Sequence, residues 1–252
     1  MDPRLERERQ FHDQAYAENA RAAVASYYVV TDVCWRHYRG FIDERAVGRD
    51  LLEYGCGMGG YAIRLAMRGA RVTGIDLSDV AIAAARRAAD AAGAEVAYHA
   101  MDAEQLAFPD DSFDLVYGAG ILHHLDLDRS LRELARVLRP DGAAIFLEPL
   151  GHNPFLNLYR RMTSRLRTED EHPLRWSDLR RAEACFGSVE LRVFNLTTLF
   201  ALPLLKLRLP GLARLLPALH AIDRALFASL PFLRRYAWNL ALVLRSPRPE
   251  IS

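Results

Sequence analysis

The stretch Glu53-Tyr54-Gly55-Cys56-Gly57-Met58-Gly59-Gly60 places four glycines in six positions, directly after the short apolar run DLLEY. Glycine lets a backbone take positive φ and approach a ligand closely. Where such a stretch joins a strand to a helix in a doubly wound sheet, it borders the ligand crevice. Gly55, Gly57 and Gly60 satisfy G-x-G-x-x-G, and Asp76 stands where an acid that binds a ribose is expected. The spacing alone admits a nicotinamide dinucleotide, and it also admits a tight turn that holds no ligand.

Other residues carry proton and charge chemistry. His123 and His124 are adjacent, and an imidazole with a pKa of about 6.5 suits proton transfer near neutral pH. Either is a candidate general base, or one caps its loop. Glu148 ends an apolar run and precedes Pro149, so its carboxylate serves as base, cation partner or metal helper if it reaches the crevice. His152, Tyr159 and Arg160, with Arg161 beside them, are candidate substrate contacts. An arginine pair there recognises phosphate or carboxylate, or is a solvated helix face. Glu169-Asp170-Glu171-His172 contains metal-ligating types but reads as a polar loop. Cys34, Cys56 and Cys185 are too scattered for a disulfide framework or a metal site, so no metal is expected.

These groups need elements to position them. Residues 3–38 read as helix, with no glycine until Gly40. From Asp50, short apolar runs alternate with longer helical ones. Strands are expected at 50–54, 71–75, 95–99, 113–117 and 142–147, with helices at 60–68, 78–92 (Ser78 as N-cap) and 128–138. After Leu147 a linker-like stretch, 148–173, precedes a short helix at 176–186 and a strand at 189–194. A leucine-rich segment follows, with Leu212, Leu215, Leu216, Leu219, Ile222, Leu226 and Leu230 at helical spacing. The last strand is expected at 238–244.

Five motifs in order carry a resemblance: E-x-G-C-G-x-G, GIDLS, MDAEQLAFPDDSFDLV, GILHHL and LARVLRPDGAAIFLEP. Over residues 50–149 the chain resembles the class I S-adenosylmethionine-dependent methyltransferases. The resemblance implies an α/β fold: a doubly wound, mostly parallel seven-stranded sheet with an antiparallel last strand. It also implies an N-terminal helical lid and helical insertions after strands 5 and 6. It makes residues 1–252 a single methyltransferase domain, with a lid at 1–45 and a cofactor-binding core at 46–148. Insertions at 149–187 and 196–235 cover the substrate, and 236–246 form the final strand.

The resemblance also implies roles. Glu53 orients the glycine loop or the methionine ammonium, and Gly55 and Gly57 leave room for the methionyl and ribose parts. Asp76 accepts from the ribose hydroxyls, and Leu77 flanks the adenine. Asp102 accepts from the adenine amino group while the Ala103 backbone reads the ring edge. Gly118 approaches the methionine portion, and Tyr16, Tyr27 and Tyr28 belong to the lid. His123, His124 and Glu148 lie toward the methyl. The implied reaction is methyl transfer from S-adenosylmethionine, yielding S-adenosylhomocysteine, to a small or medium, partly apolar acceptor. Oxygen is the expected acceptor atom, in secondary, sugar or lipid metabolism. The alternatives are carbon or nitrogen on a prenyl or other anionic molecule, an NAD(P)-dependent oxidoreductase, and a non-catalytic cofactor-binding protein. The two insertions are expected to form one apolar-walled lid, with Phe200, Leu204, Leu212 and Leu216 in the wall.

Composition narrows the partners. The 252 residues carry a formal net charge of +1, which does not argue for nucleic acid, and no nucleic-acid partner is expected. Residues 151–252 hold +8 and residues 1–150 hold −7. The charged N-terminus reads as no signal peptide, and Val193–Leu205 is too short to span a bilayer, which needs about 20 apolar residues. A cytoplasmic enzyme, monomer or homodimer, is the expectation. The arginines flanking 196–235 permit peripheral contact with an anionic membrane.

Overall fold

The computed structural model describes residues 2–17, 29–163, 168, 170–202 and 212–248. Helix α1 (Pro3–Ala17) and helix α2 (Asp32–Asp43) precede β1 (Asp50–Tyr54), α3 (Gly60–Ala66), β2 (Arg71–Asp76) and α4 (Asp79–Ala92). Then come β3 (Val96–Ala100), β4 (Phe113–Ala119), α5 (Leu127–Val137) and β5 (Leu138–Pro149). The last third holds α6 (Pro154–Met162), α7 (Leu179–Cys185), β6 (Phe186–Phe194), α8 (Leu212–Ser229) and β7 (Asn239–Pro247).

The seven strands form one sheet in the order β3-β2-β1-β4-β5-β7-β6. The first five strands pair in parallel, and β7 runs antiparallel between β5 and β6. This is the expected doubly wound, mostly parallel sheet. Strand order reverses outward from β1 and β4, and that switch point places the ligand crevice at their carboxyl ends. Leu52, Tyr54, Val116 and Phe146 face one buried layer, while Leu51, Leu115, Tyr117 and Ile145 face the other. Burial on both faces explains why these strands read as apolar runs rather than alternating ones.

Local signals set the helix starts. The Ser78 hydroxyl accepts from Ala81 N and caps α4, and Asp126 caps α5 through the amides of Asp128 and Arg129. Gly59 precedes α3 at φ 75°, and a Cβ there would lie 2.1 Å from the Tyr98 hydroxyl. That hydroxyl donates to Gly59 O at 3.0 Å. Gly59→Ala is therefore expected to cost about 1–3 kcal/mol through left-handed backbone alone, with the Tyr98 clash added. Thermal unfolding checks this: a chain of this size loses about 2–4 °C per kcal/mol, so an unchanged midpoint would refute the packing described.

Four expectations change. Residues 3–38 are not one helix; α1 and α2 are separate, and residues 18–28, with Tyr27 and Tyr28, lie outside the described residues. The stretch read as a linker contains α6, because Asn153 Oδ1 accepts from Phe155 N and Leu156 N and Pro154 occupies the first turn. β5 begins at Leu138, four residues early, with a register shift against β4. Arg139 explains the early start, since it pairs with Asp50 and Asp114 at the strand's amino end.

The leucine-rich segment departs furthest. Leu215, Ile222 and Leu230 are exposed, while Leu216, Asp223 and Phe227 are buried. Asp223 accepts from the amides of Leu196 and Thr197, tying α8 to the turn after β6. Leu216 packs with Val30 and Ala201, and Phe200 is exposed, so neither of these two described residues forms the expected apolar wall. Leu204 and the side chain of Leu212 lie outside the described residues.

Candidate active site

The glycine loop is held from below by an acid on the neighbouring strand. Asp76 Oδ2 accepts from Gly57 N at 2.9 Å and Oδ1 accepts from Ser78 N at 3.0 Å. Each carboxylate oxygen has a further lone pair, so Asp76 can shape the loop and still accept from a diol. Gly55, Asp76, Leu77, Asp102 and Ala103 line one pocket, with Tyr16 from α1 across it. Asp102 Oδ1 accepts from Glu104 N at 2.8 Å, and the Tyr54 hydroxyl donates to Ala103 O at 3.2 Å. Tyr16 covers Gly57: a Cβ there would lie 2.8 Å from its hydroxyl. Burial pushes the Glu53 carboxyl up to about 8, against the opposing influence of the Ala62 amide and Tyr117. Neither Glu53 nor Gly57 is among the residues that line the pocket.

Gly118 is not at the pocket. A Cβ there would meet Ile121, Phe146 and Tyr54 O, so it is small for packing between strands, and Ala119 and Gly120 line the pocket instead.

The two histidines separate. His123 turns inward: its Nδ1 lies 2.7 Å from Glu148 Oε2, and it lines neither the pocket nor the adjoining cleft. Glu148 is fully buried, and its Oε1 accepts from Ile121 N and Leu122 N, both at 2.9 Å. The expectation that Glu148 faces the crevice as a base is corrected: its oxygens hold the turn Leu122–His124 in place. His124 lines both spaces and sits between them. Burial pushes its imidazole below the ordinary value, only partly offset by the Glu8 carboxylate, which favours the neutral ring.

Helix α1 brings two residues that sequence reasoning missed. Glu8 and His12 line the pocket beside Tyr16. The three are four residues apart and share one helix face, which was the available signal. Glu8 is 3% exposed. Burial opposes its ionisation, yet His12, His124 and Thr168 hold the carboxyl well below the usual range. Polar contacts seat this helix: Arg4 pairs with Glu104 and donates to His124 O, Asp13 accepts from Ser78, and Arg7 meets Asp170 at 2.8 Å.

Beyond His124 opens a cleft of about 840 Å³. Arg4, Arg160, Arg161, Arg175 and Arg181 line it, facing Asp126, Asp128, Asp170 and Asp178. This charged lining replaces the expected apolar one. The cause is the phase of α6: Arg160 bonds Leu150 O and Asn157 Oδ1 on the inner side, while Phe155, Leu158 and Met162 point outward and are exposed. Of the expected substrate contacts, Arg160 lines the cleft. His152 accepts from Trp176 N through Nε2 and Tyr159 sits on the outer face, and neither lines the cleft. Among the described residues, none of 196–235 lines the pocket or the cleft.

Residues 52–146 match a family model described as a methyltransferase domain. A demethylmenaquinone methyltransferase of Thermus thermophilus is 38% identical over 120 residues, covering 46% of this chain and 54% of that protein. A ubiquinone biosynthesis O-methyltransferase of Alkalilimnicola ehrlichii is 41% identical over 109 residues, covering 42% and 44%. The match thus spans about half the length of these relatives. Magnesium protoporphyrin IX methyltransferase from Synechocystis PCC 6803, solved with bound S-adenosylhomocysteine, shares the fold. It covers 96% of this chain and 100% of its own, at TM-score 0.60 and 16% identity. No described helix is long and apolar enough to cross a membrane.

Proposed function

We propose that this chain, whose residues 52–146 match a methyltransferase domain, is a class I S-adenosylmethionine-dependent methyltransferase that transfers the methyl group to an oxygen of a small, partly apolar acceptor. The observation that carries the reading is the position of His124, which borders both the pocket holding Gly55, Asp76 and Asp102 and the charged cleft. The sulfonium is its own leaving system, so the protein has to align an acceptor oxygen with the methyl and remove one proton. A neutral His124 is placed to receive that proton, with Glu8 favouring the imidazolium that results. The cleft receives the rest of the acceptor, and its arginines suit an anionic or strongly polar end. Tyr16 and α1 cover the cofactor. The O-methyltransferase named among the relatives supports oxygen as acceptor atom.

The test begins with calorimetry against S-adenosylhomocysteine and NADH in parallel. It continues with transfer of labelled methyl from S-adenosylmethionine to phenols, quinols, sugars and prenyl phosphates. Binding of NADH alone would overturn the reading, and product methylated on carbon or nitrogen would move the acceptor atom.

Asp76→Ala is expected to weaken S-adenosylhomocysteine binding. Each charged hydrogen bond lost costs on the order of 1.5–3 kcal/mol, and the Gly57 amide loses its acceptor as well. Unchanged affinity in the folded variant would remove Asp76 from the ribose site.

A further inference from the structure

We propose that Glu8, His12 and His124 form a binding site for one divalent ion of the zinc type, with an open position toward the cofactor pocket. The three ligand atoms lie within 4.8 Å of one another. Glu8 Oε2 is 3.4 Å from His12 Nε2 and 3.2 Å from His124 Nδ1. Ligands about 2.0–2.1 Å from a tetrahedral ion stand about 3.3–3.4 Å from each other, so both spacings suit one shared ion.

The state of the atoms points the same way. Glu8 Oε2 and His124 Nδ1 are buried, and among the described residues they meet nothing beyond the contacts that Glu8, His12 and His124 make with one another. Buried polar atoms of this kind call for an explanation, and shared ligation of one ion is one. The other carboxylate oxygen of Glu8 accepts from Thr168, which fixes the orientation of the group. Such outer contacts orient metal ligands generally. Two imidazoles and one carboxylate suit zinc and its neighbours rather than magnesium or calcium, which prefer oxygen. A second trio, His123, His124 and Glu171, is a poorer site. There His123 Nδ1 is engaged by Glu148, and its Nε2 stands 3.9 Å from Glu171.

Glu8, His12 and His124 line the cofactor pocket together, so a fourth ligand would enter from that side. Three protein ligands and one open position are the catalytic pattern for zinc. Resting on the methyl-transfer reading, an acceptor hydroxyl bound there would lose its proton to water through coordination, and its oxygen would then form the bond to methyl as the sulfonium bond breaks. The binding site itself does not depend on that reading.

The experiment uses the untagged full chain, stripped with chelator and titrated with Zn²⁺, then with Co²⁺ as a spectroscopic probe. One ion per chain is expected, with cobalt absorption typical of low coordination number. Loss of an outer contact alone costs about 10–100-fold in metal affinity. Glu8→Gln, His12→Ala and His124→Ala should each weaken binding by more than that, and His220→Ala on α8 should not. Far-UV circular dichroism and the thermal midpoint report that each variant is folded, and S-adenosylhomocysteine binding by the parent protein, followed in parallel, keeps the cofactor reading separate. Absence of stoichiometric binding, or equal affinity in Glu8→Gln and the parent protein, overturns the site. Metal binding without S-adenosylhomocysteine binding instead overturns the cofactor reading and leaves the site standing.

Discussion

His124→Ala lowers turnover by roughly 10²–10⁴-fold, the usual loss of a positioned general base, and leaves S-adenosylhomocysteine affinity within a few-fold of the parent. The ring borders both the pocket and the cleft, where an acceptor oxygen would meet the methyl. Cofactor affinity rests on other groups, Asp76 and Asp102 among them. The loss is expected whether the ring receives the proton itself or holds the ion proposed above. Burial lowers the pKa of His124 below its ordinary 6.5, and a base acts only when deprotonated. Turnover in the metal-free protein should therefore fall as pH drops through a value under 6.5, and should not change between pH 7 and 8 on account of this group. Steady-state kinetics at saturating acceptor, over a pH series, checks both parts. Parent-like turnover in His124→Ala would place the proton's path elsewhere. A matching loss in His123→Ala, with its stability intact, would remove the distinction between the two histidines.

Glu148→Ala is the variant expected to damage the fold most. The carboxylate is fully buried and accepts from two backbone amides and lies against the His123 ring. Removing one side of such a pairing costs about 3–5 kcal/mol, because the partners stay buried without an acceptor. For a chain of this length that lowers the thermal midpoint by roughly 6–20 °C. Glu148→Gln should recover part of the loss, since its carbonyl oxygen still accepts from Ile121 and Leu122. Differential scanning calorimetry of the two variants makes the comparison. A Glu148→Ala midpoint indistinguishable from the parent's would mean that the turn Leu122–His124 is held by something else.

The core was legible because its signals are local. A strand running into a glycine loop, an acid at the end of the next strand and helix caps at Ser78 and Asp126 are each decided within a few residues. Strand burial on both faces leaves apolar runs that are plain in the chain. The roles of Glu148 and Gly118 were not legible, since a buried acceptor and a pocket-facing carboxylate look alike at a strand end. Only the partners at Ile121, Leu122 and His123 separate the two cases. The stretch that forms α6 reads as linker in the sequence, so its phase was not legible: Arg160 lines the cleft as expected, while Tyr159, expected beside it, faces outward.

By itself, then, the sequence determined the parallel sheet, the glycine loop and the acids beside it, because short-range backbone geometry and strand burial leave a pattern in consecutive residues. The tertiary structure alone decided which histidine lines the pocket and that Glu8 and His12 join it. Those contacts link α1 to a turn more than a hundred residues away. Polar side chains on a helix surface carry no mark of their distant partners, and only the docking of α1 on Glu104, Asp170 and Ser78 brings the carboxylate and the two imidazoles to one point.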